Sequence, residues 1–297
     1  MTTAGPATTT AGPATTTAGP ATTTAGPATT TAETGPTTTA RTGAAADWLR
    51  QYAPADAGAP CLVVFPHAGG SAGFFTPLAR ALAPAVRVLA VQYPGRLERR
   101  THPPAGDVRE LARHALAAVA EAVAGTPAGD GTAPLVLFGH SMGSLVAFEA
   151  ALLGERGAGP APAALLASGG RAPALTRVDP SILRSDDSLV EEVLLLGGTD
   201  RAVLDDPDLR ELILPALRAD YRALQSYVPD PAARVRCPVR ALVGDRDPLV
   251  PVADARRWRE HTTGPFRLRV LPGDHFYLNP RLTDVADTVR TVLAELS

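Results

Sequence analysis

The stretch FGHSMGS, residues 138–144, begins on the last residue of the apolar run APLVLF (133–138) and leads into an amphipathic helical pattern. It matches G-x-S-x-G, with Ser141 between Gly139 and Gly143, and predicts a tight turn from a buried strand into a helix. Small residues on either side let the turn close, and the serine hydroxyl stands at a helix N-terminus, where the dipole favours negative charge. We interpret Ser141 as a candidate nucleophile; the alternative is a small-residue turn that only packs a helix on a strand.

Short apolar runs alternate with helical patterns through the rest of the chain. This alternation predicts an α/β fold, with a mostly parallel sheet covered by helices on both faces. The predicted strands occupy residues 61–66, 87–95, 134–139, 163–170, 237–247 and 266–275. The predicted helices occupy residues 74–82, 111–123, 141–153, 254–260 and 282–296.

Three chemically active side chains follow predicted strands, so they should meet at one edge of the sheet. Ser141 needs a base, and His275 comes directly after the last strand. The base needs a carboxylate, for which we favour Asp247 over Asp245, with Asp274 a more distant candidate because it adjoins the histidine. The resulting order, serine, aspartate, histidine, is that of α/β-hydrolases.

A serine nucleophile of this kind also needs N–H donors for a developing oxyanion. One predicted donor is the backbone N–H of Met142, directly after the nucleophile. The other should come from the glycine-rich loop PHAGGSAG (66–73), where we favour Ala68 and Gly69 is the alternative. A phosphate-binding role for these glycines is weak, since no G-K-[ST] follows them.

The interval from Arg171 to Arg236 breaks the strand–helix rhythm. It contains two helical patterns and no convincing strand, which predicts a helical lid inserted at about residues 172–233. Pro215 interrupts the second helical pattern and should kink it. The alternative is a pair of ordinary core helices that cover the sheet.

The first 46 residues have a different composition from the rest. TTAGPAT repeats four times over residues 2–29, with proline in every unit and no large apolar side chain. Such a segment buries too little apolar surface to fold, so residues 1–46 are predicted to be a disordered tail before a hydrolase domain at 47–297. A mucin-like stalk and a misplaced translation start are the other readings of the repeat.

Composition argues against several classes of protein. The chain has 28 basic and 30 acidic residues, which gives no indication of nucleic-acid or membrane-surface binding. With neither a secretion signal nor an apolar run of about 18 residues, we expect a cytoplasmic protein. Cys61 and Cys237 each begin a predicted strand and are expected to be structural thiols. Without metal-ligand spacing or a dinucleotide motif, we expect neither metal nor cofactor.

Five stretches together resemble one family: the type II thioesterases that accompany polyketide and nonribosomal peptide synthetases. The resemblance covers residues 48–296. It is carried by VVFPHAGGSAGFF (63–75), VQYPGRLER (91–99), FGHSMGSLVAFEAA (138–151), VGDRDPLV (243–250) and PGDHFYL (272–278). A departure from the family pattern is Asp274, where a glycine is usual; we expect its carboxylate to lie in solvent.

The resemblance implies an α/β-hydrolase fold with a helical lid. It implies hydrolysis of acyl groups from the phosphopantetheine arm of acyl or peptidyl carrier proteins, with a short linear acyl group preferred. The family's catalytic residues fall on Ser141, Asp247 and His275, and its oxyanion donors on Ala68 and Met142. We further expect His67, Leu217 and Tyr221 to contact the substrate.

Two other functions remain open at this point. A small-molecule serine esterase or lipase would use the same site, and a non-catalytic hydrolase-like protein could use the lidded pocket to bind a ligand. Arg96, Arg99 and Arg100 are expected to form a solvated charged loop, with contact to an acidic carrier protein as the alternative.

Overall fold

The computed structural model describes residues 43–198 and 201–296, together with Met1 and Gly5. All the elements below belong to the larger of the two units into which the chain divides, Pro36–Ser297. The predicted tail falls almost entirely outside the described residues, and its disorder stays a prediction.

One sheet of seven strands runs through the described part of the chain. The strands are β1 (Leu49–Arg50), β2 (Cys61–Phe65), β3 (Arg87–Val91), β4 (Leu135–His140), β5 (Ala164–Ser168), β6 (Val239–Gly244) and β7 (Phe266–Leu271). Their order is β1-β3-β2-β4-β5-β6-β7; β1 is antiparallel to β3, and every other pairing is parallel. The predicted mostly parallel α/β sheet is therefore confirmed.

Helices connect and cover the strands. They are α1 (Gly43–Trp48), α2 (Thr76–Leu82), α3 (Val108–Val123), α4 (Pro127–Asp130), α5 (Met142–Glu155), α6 (Asp186–Leu196), α7 (Arg201–Asp205), α8 (Pro207–Ser226), α9 (Val252–Arg256) and α10 (Leu282–Leu296). Short 3-10 turns lie at Ala72–Phe75, Leu97–Arg99, Pro173–Leu175, Pro180–Leu183 and Arg257–His261. Within the described ranges, none of the helices combines the length and apolar character needed to span a bilayer.

Alternation along the central strands divides the core into two layers. In β2, every side chain is buried, and successive residues point to opposite faces of the sheet. Leu62 and Val64 join the core formed with α2 and α10, whereas Val63 and Phe65 join the core formed with α3 and α5. Burial on both faces explains why these strands are continuous apolar runs.

The interval between β5 and β6 holds α6, α7 and α8, which are called the lid helices below; their action as a lid stays a prediction. α8 begins after Asp206, whose side chain accepts the N–H groups of Asp208 and Leu209. It continues through Pro215 to Ser226, so this proline does not end the helix. The lid helices bury a small core of their own, made of Leu189, Val190, Leu204, Leu214, Leu217 and Tyr221.

Two features at the start of the described chain differ from the expectation. α1 crosses the boundary placed between residues 46 and 47, and the two-residue strand β1 was not expected. Trp48 at the end of α1 is buried beneath the guanidinium of Arg99, which lies 4.3 Å from the ring centroid. This apolar anchor packs α1 against the sheet domain.

Candidate active site

Ser141 occupies a sharp turn between β4 and α5. Its backbone has φ 55° and ψ −120°, a region that residues with side chains rarely adopt. The flanking glycines make the turn possible, because a Cβ on Gly139 would lie 2.0 Å from the carbonyl oxygen of Gly143. A Cβ on Gly143 would lie 2.0 Å from the carbonyl oxygen of Phe65, at the end of β2. The predicted strand–turn–helix around Ser141 is present.

His275 and Asp247 meet beyond the ends of β7 and β6. His275 Nδ1 lies 2.8 Å from Asp247 Oδ2, and both side chains are withdrawn from solvent. With its proton on Nδ1, the ring donates to the carboxylate and leaves Nε2 as an acceptor. Nε2 is buried and has no hydrogen-bond partner among the described residues. It is therefore free to accept a proton.

The other two candidate carboxylates serve the loops around this pair. Asp245 accepts the N–H of Gly273 at 2.8 Å and is exposed. Asp274 is also exposed, as expected, and accepts the N–H of Phe276 at 3.1 Å. Of the three aspartates considered from the sequence, Asp247 is the one that the fold pairs with His275.

A cavity of about 730 Å³ opens above these residues. Ser141 and His275 form part of its wall, and the lid helices α6 and α8 contribute much of the rest. The residues expected to contact a substrate, His67, Leu217 and Tyr221, all line it. This cavity, called the chamber below, is lined by apolar side chains of α6 and α8, including Val193, Leu196 and Ile213, and by charged ones such as Glu191 and Glu192.

The two backbone N–H groups predicted to face an oxyanion belong to residues that line the cavity. Met142 is the first residue of α5, so its N–H has no partner within the helix. In the glycine-rich loop, Gly69 N–H donates to Asp220 Oδ2 at 2.8 Å and Gly70 N–H donates to the His67 carbonyl at 3.0 Å. Gly69, the alternative donor, is thus already engaged. Ala68 N–H bonds to no other described residue, and Ala68 lines the chamber.

The chain is similar to known proteins. A family model described as a thioesterase domain matches residues 60–293. The chain belongs to the thioesterase family. It is 45% identical over 264 residues to a probable cadicidin biosynthesis thioesterase of Streptomyces griseus, covering 88% of this chain and 68% of the relative. It is 44% identical to thioesterase PikA5 of Streptomyces venezuelae, covering 82% of this chain and 84% of that protein.

This thioesterase is also similar to solved structures. One is the type II thioesterase BorB from the borrelidin biosynthetic cluster, which is 42% identical with a TM-score of 0.72. The alignment covers 83% of this chain and 97% of BorB. The resemblance to type II thioesterases of polyketide and nonribosomal peptide systems and the α/β-hydrolase fold are thereby confirmed.

Two further histidines of the thioesterase are packed near the catalytic pair: His140 against His275, and His67 against His140. The His140 ring centroid lies 5.2 Å from that of His275, and its Nδ1 lies 3.0 Å from Ser168 Oγ. Burial lowers the pKa of His140 well below its usual range. Burial, with smaller contributions from His275 and Arg96, lowers the pKa of His67 to about 3. Both rings are therefore neutral near pH 7 and add no positive charge beside His275.

The expectation for the arginines after the YPG turn was wrong for two of the three. Arg96 and Arg99 are buried, with 7% and 6% of their surface exposed, and only Arg100 lies in solvent. Arg99 donates to the Gln92 carbonyl at 2.7 Å. Buried arginines need partners inside the fold, so neither of these two forms part of a solvated carrier-binding loop.

Asp220, the partner of Arg96, was not singled out from the sequence. The sequence does contain an indication that Asp220 is buried and paired. Asp220 shares the apolar face of α8 with Leu217, Tyr221 and Leu224. A carboxylate on the buried face of an amphipathic helix requires a compensating charge.

Proposed function

We propose that this thioesterase hydrolyses acyl groups from the phosphopantetheine arm of acyl carrier or peptidyl carrier proteins. The observation that carries the proposal is the pairing of His275 with Asp247, together with the presence of His275 and Ser141 in the lining of one cavity. Membership of the type II thioesterase family supports carrier-bound thioesters as the substrate class. In living cells such an enzyme would clear stalled or wrongly primed synthases.

The first half-reaction transfers the acyl group to the enzyme. Ser141 Oγ attacks the thioester carbonyl while His275 Nε2 takes its proton, and Asp247 stabilises the imidazolium through Nδ1–H. The tetrahedral oxyanion accepts the N–H groups of Ala68 and Met142. The C–S bond then breaks and the sulfur takes the proton from Nε2. A thiol with a pKa near 8–9 needs little help to leave.

The second half-reaction releases the acid. A water molecule gives a proton to His275 Nε2 and attacks the acyl-serine carbonyl, so that the oxyanion again faces Ala68 and Met142. The C–O bond to Ser141 breaks, Oγ recovers its proton from Nε2, and the carboxylic acid departs. The neutral state of the neighbouring rings means that the imidazolium meets no second buried positive histidine.

The function is tested with a phosphopantetheinylated carrier loaded with a short acyl chain, following free acid and unloaded carrier by mass spectrometry. Replacing the nucleophile or the base, as S141A or H275A, should lower kcat by up to about 10⁶-fold. Release of acid by S141A at the parent rate would contradict the proposal.

A small-molecule serine esterase is the second candidate, because the same site would serve an ester. The ratio of kcat/KM for the carrier thioester to that for a simple p-nitrophenyl ester separates the two. A ratio well above one supports the carrier substrate, and a ratio below one supports the esterase. A non-catalytic binding protein would bind the acyl-carrier and turn over neither substrate.

A further inference from the structure

A buried ion pair joins the lid to the loop after β3. Arg96 Nη1 lies 2.7 Å from Asp220 Oδ2, and Nη2 lies 2.8 Å from Oδ1, so the two groups meet with two parallel hydrogen bonds. The side chains are 7% and 5% exposed. The partners are 124 residues apart in the chain, with Arg96 beyond β3 and Asp220 in the lid helix α8.

The same pair is hydrogen-bonded to the glycine-rich loop that contains Ala68. Asp220 Oδ2 accepts the N–H of Gly69 at 2.8 Å, and Arg96 Nη1 donates to the carbonyl of Gly70 at 3.0 Å. The amide of Gly69 and the carbonyl of Gly70, in the two residues after Ala68, are therefore fixed by charged groups. Charged groups form stronger and shorter hydrogen bonds than neutral partners. The loop cannot turn its peptide planes without breaking these bonds.

Apolar packing reinforces the same junction. Leu217 lies one turn before Asp220 on α8. A Cβ on Gly69 would lie 2.8 Å from Leu217 Cδ1. Gly69 has φ +74°, a conformation that residues with side chains adopt at a cost. α8 thus contacts the loop through both its carboxylate and its leucine.

We propose that Arg96 and Asp220 are positioning residues for the oxyanion hole. Resting on the hydrolytic function proposed above, this assigns the pair the task of holding the Ala68 N–H towards the reacting carbonyl. Because Asp220 belongs to α8, the oxyanion hole is complete only while this helix is packed against the glycine-rich loop. If α8 moves off the loop, it withdraws the acceptor of Gly69 N–H.

Stability alone does not account for this arrangement. Burying two charges costs desolvation energy that their attraction often fails to recover, and apolar side chains of similar size commonly replace such pairs without loss of stability. What apolar side chains cannot supply is the acceptor for Gly69 N–H and the donor for Gly70. The geometry of the loop is the property that depends on the charges.

The test measures the binding of two ligands separately, one that forms a tetrahedral adduct with the serine and one that does not. An alkyl trifluoromethyl ketone forms an oxyanion adduct with the serine, whereas the matching alkyl thioether occupies the chamber without an oxyanion. The variants are D220N and the double variant R96M/D220L. The double variant removes both charges, so it leaves no unpaired buried ion and should fold. R218Q is the control, because Arg218 lies on the same helix and pairs with Asp186 away from the loop.

We expect both variants to bind the trifluoromethyl ketone about 10- to 100-fold more weakly, since full loss of one oxyanion donor typically costs about 10²–10³ in rate. Thioether binding should be unchanged, kcat should fall in parallel with adduct affinity, and R218Q should match the parent. Equal weakening of both ligands, or no change in either, would overturn the assignment. Failure of both variants to fold would also overturn it, because the pair would then be a folding element.

The readout separates this inference from the proposed function. Adduct formation depends on the serine and its oxyanion donors and does not require a carrier protein. If the parent forms the adduct but leaves acyl-carrier intact, the proposed substrate is wrong and the positioning role is still decided by the variants.

Discussion

His275 Nδ1 lies 2.8 Å from Asp247 Oδ2, and the carboxylate is held from its other side as well. Asp247 Oδ1 accepts the N–H groups of Leu249 and Val250 at 2.9 and 3.0 Å. With both oxygens fixed, the carboxylate sets the orientation of the imidazole and keeps the proton on Nδ1. Nε2 is then the unprotonated nitrogen, which can act as the base.

Replacing this carboxylate by an amide should disable the base without removing it. D247N allows the wrong tautomer, with the proton on Nε2, so kcat should fall by about 10³–10⁴-fold. The measurement is steady-state hydrolysis of an acyl-carrier thioester, with fold integrity checked by circular dichroism. D245N is the matched control, since Asp245 is exposed, accepts the N–H of Gly273 and pairs with the exposed Arg246. Similar losses in the two variants would argue against the assignment of Asp247.

The parts of the fold that follow local patterns could be predicted from the sequence. Ser141, Asp247 and His275 each follow an apolar run, and parallel strands bring such ends to one edge of a sheet. β1 could not be predicted in this way, because two residues carry no periodicity. Its place is set by pairing of Leu49 with Val91.

Arg96 shows why charge patterns mislead where tertiary partners decide. In the sequence it belongs to a cluster of arginines, and such clusters usually lie in solvent. Its partner Asp220 is 124 residues away on another element, so no local spacing connects them. The acid on the buried face of α8 was the only local indication.

The glycine two residues after the nucleophile should tolerate no side chain. A Cβ at Gly143 would lie 2.0 Å from the Phe65 carbonyl oxygen, and neither backbone segment can move without disturbing the sheet. G143A should lower the free energy of unfolding by at least about 2 kcal/mol, as expected for forced overpacking. Denaturant titration measures the change.

G73A provides the control for that substitution. Its Cβ would meet nothing closer than Ser71 Oγ at 3.6 Å, which is an ordinary contact. G73A should therefore unfold close to the parent midpoint. A G143A protein as stable as G73A would mean that the turn around Ser141 is looser than this geometry.

His67 should make the fold sensitive to acid. Its pKa is lowered from 6.5 to about 3, so between these values the unfolded chain binds a proton that the folded chain does not. Stability from this group is complete above pH 6.5 and falls as the pH drops towards 3, by up to about 1.4 kcal/mol per pH unit.

The matching measurement is the free energy of unfolding of H67Q and parent between pH 7 and pH 4. H67Q should lose stability less steeply in acid, because a glutamine takes up no proton. H102Q, which replaces an exposed histidine, should keep the parent slope. Parallel curves for H67Q and parent would show that His67 does not stay neutral in the folded protein.

The lid should set the length of acyl chain that the chamber accepts. Val193 lies on α6 and lines the cavity with Leu196, so V193W would fill space while leaving Ser141 and His275 untouched. We expect kcat/KM for an octanoyl thioester to fall at least about 10-fold, because lost apolar contacts discriminate by about 1–3 kcal/mol per methylene. An acetyl thioester should be turned over at nearly the parent rate. L212W is the control, since Leu212 is 43% exposed and is not among the lining residues. Equal losses for the two acyl chains would place the chain-length limit elsewhere than beneath α6.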